Sequence, residues 1–559
     1  MLLHQLQYNT SQDYSDGAFS YDGGSPTQVE VDSDGDYFIS LTVPITSSNT
    51  VNDGSVRDQL EADIRVNGNK IDVGVGRSSY MREYDHFQSS IHIAVLLEDL
   101  STNDYVETFV HRPTDSPNYA FSGNFTLYTE KIADEETVFN ATGTRTVGST
   151  NLNSSISQIQ WSAGRKDGGY THNNSSNSQN VQLNDAGKYL VSVNVPLSGS
   201  IVRGSVGGTV QLNGSLVDGG YFRQGYIRND NGQDTSSLHW TGIVETTNPN
   251  DTLTIALQEL AVSGTITTGG EKATLYAQKL PDTSIYYGKA TMTTSGSNWN
   301  PTSKSAARWT TDDIIDSSVF GHNTSSNNHQ VTVQQDGDYL LSYNMATSGS
   351  PARANPITTV QVDGSDVTGA TTKTGYSRGA SGHNESSNQL LIPLNGLTAG
   401  QVITVSVQAE DITGIMDDDT STTLMLWQKG YAESGTLTSA IFDASFPADW
   451  EELTYNNSGS GDVEVRARTD SSSDMSGAVD FSTCSTIANG GDLATNACVD
   501  DQTQYIQYQI TLISDGDTPV FDNIDLAYTA SDQTAPVTNA SNLAMYNSDG
   551  GNTIASNEW

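Results

Sequence analysis

The sequence predicts an all-β chain made of tandem β-sandwich domains. Three observations point that way. At 559 residues the chain is too long for a single core, so several domains are expected. Hydrophobic residues are 35% and charged residues 16% of the total, and Gly, Ser, Thr and Asn fill the difference, a mixture that favours turns and short strands over helices. Finally, one ten-residue phrase recurs as "SDGDYFISLT", "DAGKYLVSVN" and "QDGDYLLSYN", with its glycines Gly35, Gly187 and Gly337 about 150 residues apart.

Each phrase reads as a strand leaving a tight turn. Tyr37, Ile39 and Leu41 alternate with Phe38, Ser40 and Thr42, and the same period of two runs through Tyr189, Val191 and Val193 and through Tyr339, Leu341 and Tyr343. Glycine at the turn fits a positive φ. Downstream, "RVNGNKID", "QLNGSLVD" and "QVDGSDVT" place Gly68, Gly214 and Gly364 in Asn-Gly or Asp-Gly hairpin turns. Then follow "SSYMR", "QGYIR" and "TGYSR", and next "QSSIH", "TSSLH" and "ESSNQ". Further strands are "YVETFV", "LTIALQ" and "VITVSV", and each copy closes with "FTLYTEK", "ATLYAQK" or "TLMLWQK". Three copies of one large β-domain account for this order.

The ordered features resemble the jelly roll of the complement-globular-head and tumour-necrosis-factor-like family. They are the Gly-Tyr turn in "GGYTHNNSSNSQNVQLNDAGKYLVSVN", the hairpin "TVQLNGSLV", the strand pair in "NQLLIPLNGLTAGQVITVSVQ" and the final aliphatic–aromatic strand "TLMLWQK". The resemblance covers about residues 1–430 and implies paired antiparallel sheets, neighbouring termini and frequent trimerisation. No collagen-like Gly-X-Y stalk accompanies it. Two arrangements follow: a string of modules, which is the expected one, or a single-chain pseudo-trimer.

From Glu433 the vocabulary changes. Val463, Val465 and Ala467 alternate with Glu464 and Arg466, and Ile506, Tyr508 and Ile510 alternate with Tyr505, Gln507 and Gln509. This reads as a fourth sandwich, similar to modules of bacterial surface proteins. The fold class is therefore all-β: three tandem jelly-roll β-sandwiches plus a fourth β-sandwich. The expected divisions are 1–131 (short of its N-terminal segment), 132–280, 281–431, 432–530, and 531–559 as a linker and the start of a further module. Both ends look cut, as in a slice of a longer protein or a subunit completed by a neighbour's strand. Cys484 and Cys498 are expected to pair, which implies an oxidising compartment.

The formal charge of −41 speaks against nucleic acid as a partner, since phosphate binding needs clustered Lys and Arg. No apolar run of about 20 residues is available to span a membrane, and "MLLHQLQYNT" lacks the basic end and cleavage site of a signal peptide.

Candidate site residues are few. Tyr80/Arg82, Tyr226/Arg228 and Tyr376/Arg378 stand at i and i+2, on one face of a strand, where they either hold a sugar or a neighbouring domain or pack along the sheet. Asp417, Asp418 and Asp419 form an acidic loop, a candidate calcium site or a solvated turn. Asp32, Asp34 and Asp36 alternate in the same sense, but the second copy has Lys188 where Asp36 stands, which favours a plain turn. Ser90/His92 and Ser237/His239 suggest a nucleophile and base, yet the third copy carries Gln389 in place of the histidine. With no nucleophile-elbow, zinc-helix or phosphate-loop motif, no catalysis is expected. The expected role is extracellular and structural or adhesive, within a long surface protein or filament. The expected partners are further copies or a surface ligand. The alternative is a glycan-binding module or a viral fibre.

Overall fold

The computed structural model describes residues 3–8, 18–21, 25–46, 57–82, 88–112, 124–133, 136–146, 151–152, 154–200, 203–223, 226–229, 233–260, 265–268, 271–281, 284–290, 298–349, 354–379, 383–410, 414–418, 422–429, 434–458, 462–513, 520–531, 545–546 and 553–554. Among them every regular element is a strand except two single 3-10 turns, Phe481–Thr483 and Leu493–Thr495. The chain is all-β, and it divides into two compact units, Met1–Lys429 and Gly430–Trp559.

The N-terminal unit holds three equivalent modules. In each, the recurring phrase forms a long central strand: Gly35–Thr46, Gly187–Gly199 and Gly337–Gly349. It pairs on one side with Gln88–Leu100, Thr235–Thr246 or Glu385–Leu397 and on the other with Thr126–Ile132, Ala273–Lys279 or Thr422–Gln428. A second set of strands lies over this one. In the first module its order is Phe19–Ser20, Val29–Val31, Tyr105–His111, Glu61–Val66 and Asn69–Arg77, and the same order recurs in the other two modules. The opening glycines carry φ of 152°, 149° and 150°, as the turn requires. The hairpin pairs Asn67-Gly68, Asn213-Gly214 and Asp363-Gly364 all have both φ values positive, the geometry of a type I′ turn.

Alternate residues of each central strand fill a module's own core: Tyr37, Ile39 and Leu41 in the first, Tyr189, Val191 and Val193 in the second, Tyr339, Leu341 and Tyr343 in the third. The opposite faces are buried too, and this overturns the expected string. Phe38, Leu190 and Leu340 meet Leu96, Ile243, Tyr276, Leu391 and Met425 in a further cluster drawn from all three modules. The rings of Phe38 and Tyr276 stack across a module boundary with centroids 4.5 Å apart. Each such side chain gains roughly 1.5–3 kcal/mol on leaving water, so a string would expose a costly apolar stripe. The modules close into a ring instead.

In the C-terminal unit, Thr503–Ile513 pairs with Ser434–Thr438, Phe442–Ser458 and Asp462–Asp470, while Val520–Ala530 pairs with Phe442–Ser458. Val465, Ala467, Ile506 and Ile510, from the apolar sides of the predicted alternations, are buried with Trp450 and Leu453. Cys484 and Cys498 are joined, their Cα atoms 5.6 Å apart. The bond closes a loop with a sequence separation of 14. Replacing both cysteines by serine is expected to lower the stability of this unit by about 3 kcal/mol, through the chain freedom returned to the unfolded state. Hydrogen exchange of Thr503–Ile513 should register the loss while the Gly187–Gly199 strand keeps its protection.

Candidate functional site: the axis of the ring

The three modules meet along an axis built from equivalent positions. Tyr80, Tyr226 and Tyr376 are 3%, 6% and 4% exposed and form a cluster of their own. Their ring centroids stand 5.3, 6.1 and 5.9 Å apart, in tilted and edge-to-face geometry. Each Tyr is followed by a residue whose backbone is held locally: Arg228 N–H donates to Gln233 O and Arg378 N–H to His383 O. Arg82 ends the short strand Met81–Arg82. The tyrosines of the predicted Tyr-x-Arg pairs therefore face one another rather than solvent.

His92 and His239, from the first two modules, stack with centroids 5.8 Å apart. Gln389 holds the third position, donating to Asn344 Oδ1 at 2.8 Å. His92 Nδ1 lies 3.2 Å from Thr42 Oγ1, and His239 Nε2 lies 3.2 Å from Thr241 Oγ1. Burial pushes the His92 pKa down to about 3. Burial, reinforced by repulsion from His92, drives His239 well below the ordinary imidazole range. The serines once paired with these histidines have other work. Ser237 Oγ accepts the Arg77 amide at 3.0 Å, Ser387 Oγ the Arg223 amide at 2.8 Å and Ser90 Oγ the Lys373 amide at 2.9 Å. These bonds join module one to two, two to three and three to one. The Ser–His pairs are thus spent on assembly, and neither serine bonds its histidine.

Ion pairs repeat the pattern. Arg77 pairs with Glu61 in its own module and Glu271 in the next, Arg223 with Glu385, and Lys429 with Glu130. Sequence reasoning missed one site. Glu61, Asp63 and His111 converge with ligand-type atoms within 4.8 Å of one another, all buried. Lys70 and Arg77 already bind Glu61 at 2.7 and 2.9 Å, and Arg65 binds Asp63 at 2.7 Å. Burial alone would raise the Glu61 pKa, but His111, Arg77 and Lys70 together hold it well below the usual carboxylate range. The carboxylates are matched by cations, so the donor set fits an ion-pair network rather than a metal. The signal available in sequence was the facing pair "EADIR" and "TFVHR", in which Glu61, Asp63 and His111 alternate with the core residues Ala62, Ile64 and Val110 and so share the opposite face.

The predicted acidic sites place as follows. Asp34 accepts from the Thr102 amide and hydroxyl at 2.7 and 2.9 Å, and Asp36 pairs with Arg165 at 2.8 Å. They hold a turn and a module boundary. The backbones of Asp417 and Asp418 pair with Ser348 and Thr347, and Asp419 lies outside the described residues. In the C-terminal unit, Arg466 and Arg468 line a shallow pocket with Asp480, Phe481 and Gln509. Both hold the disulfide-bearing segment, through Cys484 O at 3.2 Å and Val479 O at 3.1 Å.

Comparison with known proteins gives no family. No protein-family model matches the chain, and no curated protein matches it. Solved structures show distant similarity. Murine APRIL at pH 8.0 is 15% identical over 26% of this chain and all of its own, with a TM-score of 0.20. PNGF-II is 10% identical over 71% of this chain and all of its own, with a TM-score of 0.21. The delta-endotoxin Cry8Ea1 from Bacillus thuringiensis is 8% identical over 68% of this chain and 55% of its own, with a TM-score of 0.14. Scores this low carry no argument, and the fold stands on the strand pairing itself.

Proposed function

We propose that the chain is an extracellular structural or adhesive building block, acting without catalysis as part of a long surface protein or filament. The observation that carries this reading is the closed ring. Three sandwiches in one polypeptide spend half-buried and buried polar side chains on joining module to module, from Ser90, Ser237 and Ser387 through Arg77 and Arg223. The Cys484–Cys498 bond fits an oxidising compartment. The surplus of acidic side chains fits a surface that stays dispersed in salty water.

The test is location together with attachment. Antibodies against this chain should label intact source cells or particles, and deleting its gene should remove a surface structure or weaken adhesion. Labelling that appears only after lysis, with adhesion unchanged by deletion, would sink the proposal.

A further inference from the structure

Two boundaries between modules are built from equivalent positions but finished differently. Between the first and second modules Glu98 turns inward. Its Oε1 accepts from Asn140 Nδ2 at 2.6 Å and from the Arg165 amide at 3.0 Å. Gly164 leaves room for it, since a Cβ there would come within 2.5 Å of the same oxygen. Arg165 lays its guanidinium against Asp36 at 2.8 Å and Asp167 at 3.1 Å. This boundary supplies a base for its own acids.

Between the second and third modules, strand register puts Glu245 where Glu98 stands. It puts Tyr287, Asp313 and Ile314 where Asn140, Gly164 and Arg165 stand. The groups that hold Glu98 inward are gone. Glu245 is exposed and makes no hydrogen bond or ion pair among the described residues. A groove of about 560 Å³ is left open. Its floor is apolar, with Ile243 1% and Tyr287 4% exposed, and Leu216 beside them is 46% exposed. Its walls carry Asp218, Glu245, Asp312 and Asp313. Lys289 Nζ is shared by Asp218 at 2.7 Å and Asp313 at 2.9 Å, and His322 Nδ1 meets Asp312 at 2.7 Å. Negative charge is left over, next to apolar surface.

The wall from the third module suits an extended chain. Gly288 lies opposite Asp312 and Tyr287 opposite Ile314, so Asp313 is the extra residue of a β-bulge, a device that re-aims a side chain. Among the described residues Thr311–Ile315 pairs only with Ile285–Ala290, so its other edge offers backbone N–H and C=O groups to an incoming segment. A second copy is a poor occupant, because the chain carries 66 acidic against 25 basic residues.

We propose that this groove docks an extended basic segment of a partner protein. A Lys or Arg of that segment sets its cation among Asp218, Glu245 and Asp313, the service that Arg165 performs at the neighbouring boundary. An adjacent aliphatic side chain rests on Leu216 and Tyr287. The site goes beyond the structural reading above and fixes the chemistry of a partner.

Titration calorimetry on the purified 559-residue chain tests this in vitro, apart from any question of where the protein resides. The probe is the acetylated, amidated peptide Val-Arg-Val-Lys-Val, with Val-Glu-Val-Glu-Val and spermidine as controls. The basic peptide should bind at one site per chain, and the acidic peptide should not bind. Asp218→Asn/Glu245→Gln should weaken binding by about tenfold with the melting temperature little changed, because both side chains are exposed. Ile314→Arg installs the base that Arg165 supplies next door, and should weaken binding about as much. A basic peptide that does not bind overturns the proposal, and so does binding that both variants leave unaltered. Spermidine that binds as tightly as the peptide also overturns it, by reassigning the groove to a small polyamine.

Discussion

Acidification from pH 7 to 4.5 is expected to loosen the ring, beginning well above the range where carboxylates titrate. Partial burial keeps His92 neutral, its pKa pushed down to about 3, and His239 is depressed in the same direction. In the unfolded chain a histidine titrates near 6.5. Between those values the unfolded state binds a proton that the folded state refuses. For His92 stability is therefore complete above about pH 6.5 and falls as pH drops toward 3, by about 1.4 kcal/mol per pH unit, and His239 adds a loss of the same sign. At pH 4.5 His92 alone removes roughly 2.7 kcal/mol by this linkage. The Thr42 and Thr241 hydroxyls and each other's rings flank the two imidazoles, and none of these supplies a negative charge to hold a proton. Glu61 adds its own loss at lower pH, because its depressed pKa gives stability that disappears only as the carboxylate protonates. The separating measurement is melting temperature against pH for wild type and for His92→Gln/His239→Gln, the side chain that Gln389 already provides at the third position. The double variant should lose most of the slope between pH 6.5 and 4.5. An unchanged slope would assign the acid sensitivity elsewhere.

Tyr226→Ala is expected to destabilise the N-terminal unit by about 3–5 kcal/mol, the range for removing a large aromatic from a packed interior. The ring of Tyr226 touches Tyr80, Tyr376 and His383 at 5.3, 5.9 and 5.8 Å, so its loss leaves a cavity bounded by partners from other modules. Tyr226→Phe keeps the packing and should cost far less. Denaturant unfolding should show the loss in Tyr226→Ala as a lower midpoint. If Tyr226→Ala unfolds like wild type yet abolishes binding to a glycan array, the tyrosines serve a ligand, and the axial account fails.

Much of the module was legible in the sequence, because it is written in local rules. Period-two alternation at Tyr37, Ile39 and Leu41 and the hairpin turns at Gly68, Gly214 and Gly364 each depend on neighbours a few residues away. Assembly was not legible in the same way. The bond from Lys373 to Ser90 spans 283 residues and leaves no periodic trace. One clue was nevertheless present. In "GDYFISLTVPIT" the aromatic Phe38 stands on the face opposite Tyr37 and Ile39, where a solvent-facing strand would carry a polar side chain; it is buried with Leu96 of Gln88–Leu100, and a strand buried on both sides needs a second layer outside its own sandwich. Tyr80, Tyr226 and Tyr376 were misleading for a related reason. A Tyr-x-Arg pair beside a turn has the chemistry of a surface site, and only the neighbouring modules bury it.

Joining three modules in one polypeptide also changes how such an axis can vary. When identical subunits meet, any substitution appears three times around the centre at once. Here His92, His239 and Gln389 occupy corresponding places, and Glu61, Asp63 and His111 have Gly207, Thr209 and Gln258 as their counterparts in the second module. Each position is inherited separately, so the centre tolerates chemical asymmetry that a symmetric assembly would have to accept or reject in triplicate.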